Sequence, residues 1–285
     1  MTARKRKEKT AVSIIGSGRL GTALGVALLH RGYSVQSLVA RGVQSARRAA
    51  RLLDADVQVL AAKELHSLLP VDIFLITVPD DQIASVASEL SRLEFTATAL
   101  HTSGALSSDV LEPLQKRGWH TGSIHPLISV SHAGDQIEGA FWSVEGDKTA
   151  VRLGKAIVRD LGGKSFFIRT EDKPLYHAAA VMSSGNMMAL FDVALEMLSD
   201  CGITRSTARQ ILLPLIASTV RNLETKDPAQ ALTGTFSRGD LETVKRHLAA
   251  LKRNPDALEL YRLLGKRSLK LTKKNPQITQ ILDSV

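Results

Sequence analysis

Between residues 11 and 169 the apolar positions come in short β-rich runs separated by longer stretches of helical period. The runs at 11–15, 34–39, 57–60, 72–77, 98–101, 121–125, 142–145 and 165–168 predict strands. Strands that alternate with helices read as βαβ units, hence as a mostly parallel sheet. From about residue 170 the pattern changes. Helix-period segments are then punctuated by Gly202, Asp227-Pro228, Gly239 and Asn254-Pro255, with no strand-like run between them. One continuous helix is expected over 171–199, with Pro174 in its first turn and Gly202 beyond its end. Asp240 and Asn254 are expected N-caps of later helices. The chain therefore predicts an α/β domain over 10–169 and an all-α domain over 170–285, after a basic tail at 1–9.

The first strand-to-helix junction carries candidate chemistry. Gly16-Ser17-Gly18-Arg19-Leu20-Gly21 follows the strand AVSII and opens the apolar helix LGTALGVALL. In that setting the first glycine makes a tight turn, the second lets a pyrophosphate approach the backbone, and the third lets helix and strand pack closely. The helix N-terminus adds unpaired N–H groups and the positive end of a dipole. Gly16 to Gly21 are thus expected to hold a dinucleotide in a Rossmann-type domain. Selectivity is read about 20 residues further on, where NAD binders place an acid against the ribose hydroxyls. Here the segment is Gln36-Ser37-Leu38-Val39-Ala40-Arg41 and holds no acid. Arg41 could pair with a ribose 2′-phosphate, aided by Ser45 or by Arg47 and Arg48, so NADP is the expected cofactor. A solvated helix face explains Arg47 and Arg48 equally well.

Ligands of a doubly wound sheet lie beyond the carboxyl ends of its strands. Three predicted strand ends carry unusual loops: Thr77-Val78-Pro79-Asp80, His101-Thr102-Ser103-Gly104 and His125-Pro126-Leu127. Val78 and Pro79 would wall the nicotinamide and Thr102 would lie near it, whereas a plain turn with Asp80 as cap is the alternative. Ser103 and His125 are candidate substrate contacts, each equally able to be a satisfied structural group. Neither His101 nor His125 has a partner at metal-ligand spacing, so no metal is expected. On the long helix, Lys173, His177 and Ser184 project within roughly 40° of one another, with Ala180 between them, and this stripe suggests an opening onto the cofactor. Asn186 falls about 180° from His177 on an ideal helix, so the two can share a site only if the helix breaks near Gly185.

Composition narrows the class. Apolar residues make up 44% and charged residues 23%, the balance of a folded protein rather than a disordered one. The longest apolar stretch, 22–29, is too short for a membrane span. The basic start lacks the apolar run of a signal peptide, and a cytoplasmic protein is expected. Cys201, the one cysteine, excludes an internal disulfide and is expected to be a small buried hydrophobe. Almost half of the net charge of +9 lies in the tail, and with 4% aromatics and no zinc-finger or RNP motif, nucleic-acid binding is not expected.

The stretches IIGSGRLGTALG, VPDDQI, HTSGALSSDVL, SIHPL, LYHAAAVMSSGN and LTGTFSRGDLETVKRHL together resemble a bacterial family that joins a Rossmann-like domain to a helical domain of unknown function. That family is a branch of the superfamily of pyrroline-5-carboxylate reductase and ketopantoate reductase. The resemblance implies an NADP-dependent dehydrogenase or reductase acting on a small carboxylate-bearing ketone or imine, with ketopantoate the first candidate, and a homodimer formed through the helical domain. It also implies catalytic roles for Lys173 and Asn186, beside His177 and Ser184 from the helical stripe. Arg238, in GTFSRGD, would clamp the carboxylate or else be a surface residue before the Asp240 cap. A non-catalytic NADP sensor shares the glycine motif and is the alternative reading.

Overall fold

The computed structural model describes residues 10–132, 135–272 and 276–284, so the expected basic tail at 1–9 lies outside the described residues. Every apolar run of the first half forms a strand: β1 (Ala11–Ile15), β2 (Ser34–Ala40), β3 (Gln58–Ala61), β4 (Ile73–Ile76), β5 (Thr98–His101), β6 (His120–Pro126), β7 (Phe141–Gly146) and β8 (Lys164–Phe167). They join in one sheet of order β3-β2-β1-β4-β5-β6-β7-β8. Pairing is parallel from β3 through to β6, antiparallel between β6 and β7, and parallel again to β8. Strand order reverses between β1 and β4, which opens a crevice beyond their carboxyl ends.

Both faces of this sheet are covered, which is why its strands read as continuous apolar runs. Val12 and Ile14 of β1 pack with Leu24 and Leu28 of helix α1 (Arg19–His30). Their neighbour Ile15 points the other way, to Phe74, Ile76 and Ile83. Helices α2 (Val43–Leu53), α3 (Asp80–Leu90), α4 (Glu112–Gln115) and α5 (Lys148–Asp160) follow their strands in the manner of βαβ units. Glycine is required at the β1–α1 turn. Gly16 has φ +109°, and a Cβ there would lie 2.6 Å from the carbonyl carbon of Thr77. The Thr77 hydroxyl donates to the Gly16 carbonyl at 2.6 Å, tying the β1 and β4 loops together.

The long helix expected over 171–199 is two helices, α6 (Lys173–Ser183) and α7 (Gly185–Asp200). Ser184 breaks it, with φ −127° and ψ −71°. The chain forms two compact units, one ending at Gly185 and the other starting at Asn186. Helix α6 therefore belongs with the sheet, and the first unit extends past residue 169. The second unit is helical: α8 (Arg205–Thr225), α9 (Pro228–Ala231), α10 (Thr235–Arg238), α11 (Leu241–Leu251), α12 (Pro255–Thr272) and α13 (Pro276–Asp283) follow α7. Its core gathers Val244, Leu269, Ile278 and Leu282, with Phe236 and Tyr261 packed against them. Asp240 caps α11 by accepting from the Thr243 amide, and Asn254 caps α12 through Ala257, as their positions predict.

Two expectations are corrected. Cys201 is exposed rather than buried, because it sits in the turn that ends α7. The stretch Thr170–Asp200 has a mean hydropathy of 1.4 and is long and apolar enough to cross a membrane by length and composition, with 6% of its apolar window buried; the mostly buried core helix of a soluble protein passes the same test of length and composition. A search for uninterrupted apolar runs misses it because Lys173, His177 and Ser183-Ser184 punctuate it.

Candidate active site

At the carboxyl end of β1 the backbone is arranged for an anion. The cap residue of α1 is Gly18, which makes no side-chain cap bond, and the first turn holds no acid. The leading N–H groups of α1 thus lack a side-chain partner. A Cβ built on Gly18 would meet nothing within 4 Å, whereas one on Gly21 would strike the Thr77 hydroxyl and the Gly16 carbonyl. Gly16 and Gly21 are needed by the chain's own packing; Gly18 is not. The Ser17 Oγ beside it is buried without a hydrogen-bond partner. An open position, an uncapped helix start and an unsatisfied hydroxyl fit a pyrophosphate. Arg41, just past β2, is exposed and makes no hydrogen bond or ion pair among the described residues, while Arg48 donates to Ser45 Oγ at 2.9 Å. Val78 is half-buried and Pro79 exposed, with Pro79 as the cap residue of α3.

The loop after β5 is occupied by its own structure. Ser103 Oγ donates to Asp80 at 2.8 Å and accepts from the amides of Ala105 and Leu106 at 3.2 and 2.9 Å. A hydroxyl has one proton and two lone pairs, so this one is saturated. Ser103 organises the loop; its hydroxyl is not the free substrate contact expected from the sequence. Thr102 is buried, with its hydroxyl directed to the Ile76 carbonyl at 3.4 Å. Asp80, the expected cap, is the first residue of α3 and anchors Ser103. His101 is enclosed: its Nδ1 accepts from the Ser103 amide at 3.2 Å, which leaves Nε2–H to donate to the Ser107 carbonyl at 3.1 Å. Burial, reinforced by the nearby Lys173 charge, pushes its imidazole down to about 3.

Lys173 lies elsewhere than on an opening. It is fully buried, and its ammonium donates to the Ser103 carbonyl at 3.0 Å and to Ser123 Oγ at 2.6 Å. Its third neighbour is the Glu145 carboxylate of β7 at 3.6 Å. Burial drives the ammonium below the usual lysine range, against the pull of Glu145. Glu145, also buried, accepts from the amide and hydroxyl of Ser108 at 2.8 Å each. Two hydrogen bonds and the ion pair hold the buried Lys173 ammonium inside the first unit. The helical wheel gave its direction correctly but not what lay in that direction.

The opening is one turn along α6. A cavity of about 590 Å³ lies between this helix and the segment leaving β6, lined by His125, Tyr176 and His177 and by small and apolar side chains. The His125 and His177 rings meet edge-on at 5.4 Å, and His125 Nδ1 shares a 2.8 Å hydrogen bond with the Tyr176 hydroxyl. His177 Nδ1 is buried without a partner. Gly104 makes this packing feasible, since a Cβ there would fall 2.8 Å from His125 Nε2. Burial, then the neighbouring His177 and Lys173, lowers the His125 imidazole to about 4. Ser184 also lines the cavity, its Oγ donating to the Ala180 carbonyl at 3.1 Å. Asn186 and Arg238 are exposed residues of the second unit, and Arg238 closes α10 two residues before the Asp240 cap. Glu145, Tyr176 and Ser123 were missed in the sequence. An acid within the strand WSVEG was the available signal for Glu145, because buried strands rarely carry an unpaired charge.

Comparison with known proteins agrees with this geometry. The Rossmann-like domain model matches residues 2–126, and the model described as Domain of unknown function (DUF2520) matches residues 140–268. The chain joins a Rossmann-like domain to a DUF2520 domain. The DUF2520 match begins at β7, so it takes in the last strands of the sheet, α6 and most of the helical unit. No curated protein matches the chain. Among solved structures, Bacteroides fragilis BF3122, provisionally named an NADP oxidoreductase, has a TM-score of 0.77 at 24% identity, over 94% of this chain and 99% of that one. Thermotoga maritima protein TM1727 has 0.73 at 24%, over 92% and 98%. The Plasmodium falciparum pyrroline carboxylate reductase, solved with NADP bound, has 0.60 at 13%, over 93% and 99%. These likenesses establish a shared fold across both the Rossmann-like and DUF2520 parts.

Two imidazoles, buried His101 and half-buried His125, give a pH dependence whose sign follows from their pKa values. Both lie below the ordinary 6.5 in the folded chain, so the unfolded chain binds more protons between pH 6.5 and about 3. Stability is complete above pH 6.5 and falls as the pH drops, by on the order of a few kcal/mol. The fall in melting temperature between pH 7 and 5 should be smaller in His101→Gln than in the native chain. Equal falls would exclude a buried neutral His101.

Proposed function

We propose that the protein is an NADP-dependent dehydrogenase or reductase that transfers a hydride between the nicotinamide and a small ketone or imine. One observation carries this reading. Within a single unit, a phosphate cradle open at Gly18 accompanies a histidine-lined cavity at the carboxyl end of β6. The names of BF3122 and the Plasmodium enzyme point to the same class.

NADPH, when bound, would supply the hydride and its electron pair. The loop from Gly16 to Gly21 and the start of α1 hold the pyrophosphate, and Ser17 Oγ offers the hydrogen bond it otherwise lacks. Arg41, beside the Ser45–Arg48 pair, answers the 2′-phosphate. Val78 and Pro79 supply an apolar wall. His177 delivers one proton to the developing oxygen or nitrogen. Of the two candidate acids, Lys173 and His177, only His177 lines the cavity, whereas Lys173 is fully buried against Ser103 and Ser123. His125, held neutral by burial and fixed by Tyr176, orients the neighbouring ring. Ser184 presents a hydroxyl on the same cavity face.

The helical unit is proposed to pair with a second copy. Met188 and Leu190 of α7 and Ile211, Leu213 and Leu215 of α8 are exposed, a concentration of large apolar side chains that monomeric proteins rarely leave in water. Light scattering should return a dimer mass, and Leu215→Glu should shift it toward monomer; a monomeric native chain would remove this part of the reading.

The enzyme reading is tested by NADPH oxidation over short 2-ketoacids, ketopantoate first, and cyclic imines, run beside NADH. NADPH should be oxidised faster than NADH with at least one of them. His177→Ala should lower kcat by roughly 10²- to 10⁴-fold while keeping NADPH affinity. Gly18→Val should melt like the native chain yet bind NADPH at least about tenfold more weakly, a loss of about 1.4 kcal/mol. The absence of calorimetric heat with NADPH, together with the absence of turnover, would contradict the proposal.

A further inference from the structure

The cavity beside His177 has an apolar stretch between polar ends. Residues 177, 180 and 181 follow the i, i+3, i+4 spacing, so His177, Ala180 and Val181 share one face of α6, and they line the cavity together with Ser184 just past the helix end. From His177 to Ser184 the lining runs roughly 10 Å. His125, Tyr176 and His177 lie at one end, and Ser183 and Ser184 at the other, with Ser129 on the segment leaving β6. Beside Ala180 and Val181 stand Leu127 and Ile128, which leave β6 after the Leu127 amide bonds to the Phe141 carbonyl at 2.8 Å. Leu127 and Ile128 are each 38% exposed and Val181 39%, so apolar area is available to a ligand. No Asp, Glu, Lys or Arg is among the described residues that line this cavity. His125 is held neutral at physiological pH by burial.

Resting on the reductase reading, we propose that Ala180 and Val181, with Leu127 and Ile128, form a subsite for an uncharged, branched aliphatic substituent of the substrate, next to the carbon that reacts at His177. Burying aliphatic carbon against these side chains is favourable, at about 0.8 kcal/mol per methylene. A charged substituent would lose its hydration there without gaining a partner. Ala180 sets the width of the subsite, because it is the smallest side chain on the face between His177 and Ser184.

Two neutral amides isolate the subsite from catalysis. Isobutyramide and acetamide share the polar head and differ by two carbons, which corresponds to roughly tenfold in affinity if both are buried. NMR titration of the full chain, with and without NADPH, should give about that preference for isobutyramide. Ala180→Phe should abolish the preference while leaving NADPH affinity unchanged, and Leu127→Ser should reduce it should the larger side chain disturb folding. Equal binding of the two amides to the native chain, or an unchanged preference in both variants, would overturn the subsite. Failure to bind NADPH with amide preference intact would count against the reductase reading alone, since the amide titration without nucleotide still reads the subsite.

Discussion

The arrangement of the first unit depends on one buried ion pair, Lys173 with Glu145. Removing an ammonium and a carboxylate from water costs several kcal/mol each, and the cost is recovered only when their remaining hydrogen-bonding capacity is met. It is met here by Ser103, Ser123 and Ser108. Those partners come from the loop after β5, from β6 and from the turn before α4, while the charges come from β7 and the start of α6. One network therefore fastens a helix to the loop after β5 and to β6 and β7. Its position decides that His177, one turn after Lys173, stands over His125 rather than in water.

The cofactor end follows a different logic, in which backbone shape replaces charge. Gly16 and Gly21 let β1, α1 and the Thr77 loop approach more closely than any side chain permits. Gly18 meets no such constraint, and its missing side chain leaves space rather than filling it. Packing accounts for two glycines of the motif, and an anion in the remaining space accounts for the third. The hydroxyl of Thr77 joins this loop to β4, and the cradle at β1 and β4 and the histidine cavity at β6 belong to one sheet with β5 between them.

The sheet was largely legible because parallel strands buried on both faces write themselves as β-branched runs, and all eight runs became strands with ends displaced by a residue or so. The glycine loop was legible because its context, strand before and helix after, is local. What failed was information that is not local. A helical wheel placed Lys173, His177 and Ser184 on one stripe, yet it could not say that a glutamate from β7 waits beneath the first of them. Ser103 read as a free hydroxyl because its three partners lie in its own loop and in α3. The break at Ser184 was foreseen only as a condition for Asn186, since serine pairs rarely end helices without tertiary help. Tyr176 gave no signal until folding set its hydroxyl against His125.

The coupling between Lys173 and Glu145 is measured most directly by a double-mutant cycle in denaturant, with Lys173→Met, Glu145→Gln and the pair. Each single change strands a buried partner and should cost about 3 to 5 kcal/mol, whereas the double variant should cost clearly less than their sum, with a coupling of about 1 to 3 kcal/mol. Additive losses would contradict the account, because the two charges would then be independent of each other and of the placement of α6.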